Sequence, residues 1–364
     1  MTTGQTGTPR NHPLSPLLAH ALQADDLRLL TILEQRAWVQ AVRPIHMHGM
    51  RVENDDPVLL WNGVPGEQDL SPESFGRRAI RQQSKYHNYR PDAAAGMRAH
   101  GFEHYDVEHW STDLLFDYWT ISGDAWAQDE LRHMGECLRG LLRPEGFYTS
   151  TVLPARAEGW AMQSFVQVFL ATGDLRYRDA ALDRMHDIVD RDRMSTGLYR
   201  AVQVSGSDRR TTWPEPHSFY MPWQHGVVLF GYLGAWKFFG DPLARTICED
   251  VTYGVDRGWV SNVQDPTHGF VANGLRYYVP LSYLGQPVTP DAFDATHGVK
   301  FGDDPLRGAH SILAAGLLMV ASVSDDPERR SRALLRGQLL LPSPLSDEDR
   351  WGKWYYCVPA AWNR

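Results

Sequence analysis

Titratable and aromatic side chains gather at four places in the sequence, each at the start of a segment with helical periodicity. Histidine, tyrosine, arginine and carboxyl side chains can exchange protons or stabilise charge during a reaction. The four groups are His104, Tyr105, Asp106, Glu108 and His109; Arg156 and Glu158; Trp213, Glu215, His217, Tyr220, Trp223 and His225; and Arg307 and His310. The alternative for any one of them is structural, because most charged side chains are exposed and most histidines are satisfied by hydrogen bonds.

The segments that begin at these groups form a fourfold repeat. Each copy is an apolar run, a short polar turn and a second, more polar amphipathic run. The copies run from His109 to Leu142, from Gly159 to Val189, from His225 to Val255 and from His310 to Leu341, with turns at Gly123-Asp124, Gly173-Asp174, Gly240-Asp241 and Ser324-Asp325-Asp326. Glycine can take the left-handed conformation after a helix, and aspartate can cap the next helix. The sequence therefore predicts four hairpins, each with a buried inner helix and a more polar outer helix.

The remaining segments carry weaker patterns. The predictions are one long or two short helices over 15–42, an irregular connection over 45–72, a helix over 72–83, and two insertions, 199–222 and 259–301, with little amphipathic helix. Within the second insertion, residues 271–284 could include a short hairpin of strands.

Three phrases of the sequence resemble the (α/α) toroid domains of polysaccharide-degrading enzymes. They are Glu103-His104-Tyr105-Asp106-Val107-Glu108-His109-Trp110, Ser122-Gly123-Asp124 and Arg156-Ala157-Glu158-Gly159-Trp160. Within that group the sequence looks most like the central domain of exo-rhamnogalacturonan-lyase-like proteins. The resemblance covers residues 85–340 in hairpin pattern and 105–190 in specific motifs. It implies an all-α fold: an (α/α) toroid of five or six hairpins, incomplete or closed, with long loop insertions.

Such toroids direct the starts of their inner helices into one cleft, so the resemblance implies a polysaccharide or oligosaccharide substrate. Cleavage of a uronide by β-elimination needs a neutraliser for the carboxylate, a base for the C5 proton and an acid for the leaving oxygen. Arg156, Asn273 or Arg276 could neutralise; His104, His109 or His217 could be the base; and Tyr105, Tyr220 or Tyr277 could be the acid.

Two other functions stay open. An inverting glycoside hydrolase on the same fold needs two carboxyl groups, for which Asp106, Glu108, Glu158 and Glu215 are candidates. Asp113 suits this role less, because we expect it to lie one turn inside its helix. A non-catalytic helical-repeat binding protein is the third possibility, since concave repeat surfaces often bind partners.

The elimination hypothesis divides the candidate residues into two sets. The catalytic set is His104, Tyr105, His109, Arg156, His217 and Tyr220. The substrate-binding set is Asp106, Glu158, Trp213, Glu215, Trp223, His225, Asn273, Arg276 and Tyr277. Tryptophan and tyrosine are included because aromatic faces stack on sugar rings, whereas Trp110 and Trp160, which recur at one place in two repeats, are expected to pack in the core.

Composition narrows the partners. A net charge of -8 argues against nucleic acid, which needs a basic surface, and no apolar run is long enough to span a membrane. Three scattered cysteines indicate neither a disulfide framework nor a metal knuckle, and no cofactor is expected, with a divalent cation such as calcium left open. We expect a flexible tail over residues 1–14, a single catalytic domain over 15–364 and a cytoplasmic protein, or a secreted one if a signal peptide was removed. The oligomeric state is left open.

Overall fold

The computed structural model describes residues 25–41, 50–53, 56–59, 111–142, 155–192, 202–204, 217–220, 222–264, 271–276, 279–283, 286–287, 289 and 307–340. Its helices are α1 (Leu27–Ala41), α2 (Asp113–Ser122), α3 (Ala125–Leu142), α4 (Ala155–Thr172), α5 (Leu175–Asp192), α6 (Pro222–Gly234), α7 (Pro242–Gly258), α8 (Arg307–Val323) and α9 (Pro327–Leu340). A π-helical turn, Ala235–Phe239, continues α6. None of the described helices combines the length and apolar character that a membrane span requires.

The predicted all-α class, built from helical hairpins, is confirmed. The pairs α2/α3, α4/α5, α6/α7 and α8/α9 correspond to the four predicted copies of the repeat. Inner helices are the more buried, as α8 illustrates with Leu313, Ala314, Ala315, Leu317 and Leu318 all in the core. α1 confirms the predicted N-terminal helix within its described part, and the predicted helix over 72–83 lies outside the described residues.

Glycine ends three of the inner helices for a conformational reason. Gly123, Gly173 and Gly240 have φ angles of 66°, 69° and 70°, which is the left-handed region that other residues avoid. A Cβ atom built at any of the three would meet no atom within 4 Å, so space does not select glycine there. The predicted role of glycine in these three turns is therefore confirmed.

The aspartate that follows caps the next helix in three of the four turns. Asp241 accepts hydrogen bonds from the backbone N–H groups two and three residues on, at 2.8 and 3.0 Å. Asp174 accepts one from the residue two positions on at 3.0 Å, and Asp326 accepts two at 2.9 and 3.1 Å. The carboxylate of Asp124 instead accepts the hydroxyl of Tyr118. The bonds that Asp174, Asp241 and Asp326 accept satisfy backbone N–H groups that have no partner within their own helix.

A buried glutamate joins one outer helix to the following hairpin in two places. Glu136 on α3 accepts the hydroxyl of Tyr177 on α5 at 2.8 Å. Glu249 on α7 accepts the hydroxyl of Ser324, just after α8, at 2.6 Å and a guanidinium N–H of Arg329 on α9 at 3.3 Å. Buried carboxylates require such partners, so these bonds fix neighbouring hairpins to each other.

Among the described residues, eight short strands lie between the helices. They are β1 (Met50–Glu53), β2 (Asp56–Leu59), β3 (Val202–Val204), β4 (His217–Tyr220), β5 (Trp259–Gln264), β6 (Val271–Leu275), β7 (Val279–Tyr283) and β8 (Gln286–Pro287). β1 and β2 form an antiparallel hairpin, so the prediction that 45–72 is irregular is wrong at these residues. Their pattern is too short to signal strands, and Pro57 lies within one of them.

The two insertions pair with each other. β3, β4, β7 and β8 form one antiparallel sheet in that order, and β5 pairs with β6. β6 and β7, the strands expected to form a hairpin within 271–284, therefore pair with different partners. The register sets His217 opposite Tyr283 and Tyr220 opposite Val279. β4 and β7 belong to different insertions, and a pairing between segments so far apart in the chain leaves no local signal in the sequence.

The chain divides into two compact units. The first comprises Met1–Val152 and Trp160–Asp187, and the second comprises Leu153–Gly159 and Ile188–Arg364. The second unit contains α6 to α9, the sheet of the two insertions and the first residues of α4. The single catalytic domain predicted over 15–364 stays a prediction.

Candidate functional site

The predicted site residues fall into three groups. His104, Tyr105, Asp106, Glu108, His109, Trp213, Glu215 and Tyr277 lie outside the described residues. The backbone alone is described for Arg156 in α4, His217 in β4, Trp223 in α6, Asn273 in β6, and Arg307 and His310 in α8. The side chains of Glu158, Tyr220, His225 and Arg276 are described, and all four lie in the second unit.

These four side chains are buried. Their exposed fractions are 2% for Glu158, 1% for Tyr220, 2% for His225 and 5% for Arg276. Burial of charged groups is expensive unless they are paired, and perturbed ionisable groups concentrate at functional sites. The second unit therefore contains a carboxyl, an imidazole and a guanidinium in its interior.

The start of α4, which carries Glu158, packs on the start of α6, which carries His225. Glu158 and His225 are each the fourth residue of their helix. Gly159 packs so closely on α6 that a Cβ atom there would lie 2.6 Å from the carbonyl carbon and oxygen of Val227 and 2.7 Å from the backbone nitrogen of Val228. Glycine is required at this crossing because the atoms it meets are backbone. The carboxyl and the imidazole are thus carried on adjacent first turns, next to one close helix contact.

Tyr220 is fixed at both ends. It is the last residue of β4 and pairs with Val279 of β7, while its hydroxyl donates to the backbone oxygen of Gly254 on α7 at 2.7 Å. Its ring meets the imidazole of His225 edge-on, with centroids 5.4 Å apart and an interplanar angle of 86°. Edge-to-face contacts are a favourable arrangement of aromatic rings. This geometry favours a structural or positioning role, and the predicted role as a catalytic acid stays a prediction.

Three charged groups among the described residues act on Tyr220. Burial raises the pKa of Tyr220 well above its ordinary value, while the positive charges of Arg257 and Arg276 oppose that rise and Asp256 adds to it. The phenol therefore keeps its proton at neutral pH. A neutral phenol can donate its hydrogen bond, and here the acceptor is a backbone carbonyl.

Arg276 follows β6 and is held to the end of α7. Its backbone N–H donates to the carbonyl of Gly258 at 2.9 Å, and its guanidinium Nη1 donates to the carbonyl of Trp259 at 3.3 Å. The residue is 5% exposed, and its predicted role as the neutraliser of a uronate stays a prediction.

Asp113, which the sequence places a turn inside its helix, is instead the first residue of α2, so that expectation is wrong. Ser111 and Thr112 precede the helix, a pair of residue types that favour helix starts. Asp113 is 2% exposed, and its Oδ1 accepts the Gln167 amide at 3.0 Å. The Thr112 hydroxyl donates to the same Gln167 side chain at 2.5 Å, which makes this buried network part of the first unit.

Two further expectations concern packing and metals. Trp160 is 2% exposed, in agreement with its predicted role in the core. Within the described ranges no group of three or more His, Cys, Asp or Glu side chains could hold a metal ion.

Comparisons with known proteins give structural likeness alone. No protein-family model matches the chain, and no curated protein matches it in sequence. Unsaturated glucuronyl hydrolase from Streptococcus agalactiae is similar at 13% identity and a TM-score of 0.46, over 91% of each chain. The unsaturated glucuronyl hydrolase of Bacillus sp. GL1 is similar at 14% identity and a TM-score of 0.44, over 90% of this chain and 95% of that one. Cellobiose 2-epimerase from Spirochaeta thermophila is similar at 14% identity and a TM-score of 0.44, over 79% of this chain and 83% of that one.

Proposed function

We propose that the protein cleaves glycosidic bonds in oligosaccharides that contain uronic acid, and that its site lies in the second unit around the starts of α4 and α6. The observation that carries the proposal is the burial of Glu158 and His225 at the same position of two helices in close contact. A carboxyl and an imidazole so placed are suited to proton transfer, because histidine titrates near neutral pH and both groups lie away from bulk water.

Elimination is the first route. Arg276, or Arg156 from the first turn of α4, would neutralise the uronate and so stabilise the carbanion that forms at C5. His225 or His217 would remove the C5 proton. The C4–oxygen bond then breaks, and the leaving oxygen takes a proton from an acid, for which Tyr105 and Tyr277 are the candidates.

Hydrolysis is the second route, favoured by the buried carboxyl of Glu158. One carboxyl would protonate the leaving oxygen, and a second would activate water on the other face of the sugar. Glu215 is the candidate for the second carboxyl. In both routes Trp213, Trp223 and Tyr277 would bind sugar rings by stacking.

One assay separates the routes. The protein is incubated with a panel of uronic-acid polysaccharides and oligosaccharides, and both absorbance of an unsaturated product and new reducing ends are measured. The panel includes an oligosaccharide with an unsaturated glucuronyl end and, as a neutral comparison, cellobiose. A chromophore that appears with the reducing ends indicates elimination, and reducing ends alone indicate hydrolysis. No cleavage of any glycan would overturn the proposal in favour of a non-catalytic binding protein.

Two variants test the site within that assay. Glu158→Gln and His225→Gln are expected to lower kcat by roughly 100-fold or more, the usual effect of removing a proton-transfer group. Glu136→Gln is the matched control, since Glu136 is also a buried carboxyl but binds Tyr177 in the first unit. Site variants no more impaired than this control would refute the assignment.

A further inference from the structure

The hydroxyl of Tyr220 is not placed for proton transfer to a substrate. A catalytic acid must lie within hydrogen-bond reach of the leaving oxygen and must regain its proton after each turnover. This hydroxyl instead donates its hydrogen to the backbone carbonyl of Gly254, 2.7 Å away. The side chain is 1% exposed, so a substrate cannot reach the hydroxyl unless α7 or β4 moves.

The ring of Tyr220, by contrast, is placed against a candidate proton-transfer group. Its edge-to-face contact with His225 joins the end of β4 to the first turn of α6. The strand pairing with Val279 and the bond to Gly254 hold the phenol from two further elements, β7 and α7. The imidazole of His225 therefore packs on a ring that three elements keep in place.

We propose that Tyr220 is a positioning residue that sets the orientation of the His225 imidazole through its ring. This rests on the proposed function, in which His225 holds or moves a proton. The hydroxyl serves to anchor the ring to α7, and the ring does the positioning. The charges of Arg257, Arg276 and Asp256 also act on the phenol of Tyr220.

Two substitutions separate the ring from the hydroxyl. Tyr220→Phe keeps the ring and removes the hydroxyl, whereas Tyr220→Leu removes the ring contact. Tyr177→Phe is the matched control, because Tyr177 is a buried tyrosine whose hydroxyl binds Glu136 and the Arg132 carbonyl in the first unit. All three are examined by NMR of histidine-labelled protein, with His225→Gln used to assign the His225 signal, and by the pH profile of cleavage.

We expect Tyr220→Phe to leave the His225 signal and its titration near those of Tyr177→Phe and to lower kcat by less than about tenfold. Tyr220→Leu should shift the signal, displace the pH profile and lower kcat by about 10- to 100-fold with a smaller change in KM. A loss of 100-fold or more in Tyr220→Phe would overturn the proposal and identify an acid. An unmoved His225 signal in Tyr220→Leu would also overturn it. The NMR arm needs no substrate, so it stands even if no cleavage is found.

Discussion

Replacement of Gly159 by alanine tests the close contact between the start of α4, which carries Glu158, and the start of α6, which carries His225. An ordinary contact of a Cβ atom begins at 3.4 Å, whereas a Cβ at Gly159 would lie 2.6 Å from backbone atoms of Val227. The helices α4 and α6 must therefore separate by about 0.8 Å or distort. Overpacking of this kind costs about 1–3 kcal/mol, and the upper end applies here because backbone cannot rotate away.

The sign of the effect is decisive. Alanine in a helix interior is more stable than glycine by about 1 kcal/mol, so without a clash Gly159→Ala would stabilise the protein. With the clash, the net result is a loss of about 2 kcal/mol. Denaturant unfolding followed by tryptophan fluorescence and circular dichroism measures the difference, with extrapolation to water. Gly159→Ala at or above wild-type stability would refute the close approach of α4 and α6.

Two control experiments separate the clash at Gly159 from other effects of the substitution. Gly123→Ala adds a Cβ that meets nothing, so its cost of about 1 kcal/mol comes from the left-handed backbone alone. Val227→Ala combined with Gly159→Ala should show no coupling, because the clash is with the backbone of Val227, whereas relief in the double variant would point to its side chain. Since Glu158 precedes the crossing, Gly159→Ala should also reduce any cleavage activity.

Three further changes test the hairpins. Gly173→Ala should cost about 1 kcal/mol and Gly173→Asn less, because asparagine tolerates the left-handed conformation; equal losses in denaturant would contradict this. The Arg176 side chain lowers the pKa of Asp174, so the ionised carboxylate stabilises the folded protein. Wild type should therefore be more stable than Asp174→Asn above about pH 4, and this difference should vanish as the pH falls through the lowered pKa. A difference in free energy of unfolding between wild type and Asp174→Asn that stays constant from pH 6 to pH 3 would contradict this prediction. Glu249→Ala should lower stability by about 2 kcal/mol and Ser324→Ala by about 1, since the latter keeps the arginine partners of the carboxylate; the reverse order in the same assay would argue against this network.

The site could be predicted in part. The positions of Glu158 and His225 at the starts of inner helices follow from the repeat, because a hairpin pattern fixes where each inner helix begins to within a turn. The start of α2 at Asp113 shows the limit of that reasoning, since only the fold reveals that Ser111 and Thr112 precede the helix. The partner of the Tyr220 hydroxyl, 34 residues further along the chain, has no signature in the sequence.

The sequence by itself determined the hairpins and their turns. A left-handed glycine such as Gly240 and a capping aspartate such as Asp241 act within a few residues, so their chemistry is legible without a fold. The tertiary structure alone decided that the two insertions share a sheet and that Gly159 meets the backbone of α6. Such contacts depend on packing between segments far apart in the chain, whose fit is set by many side chains together and by no local pattern.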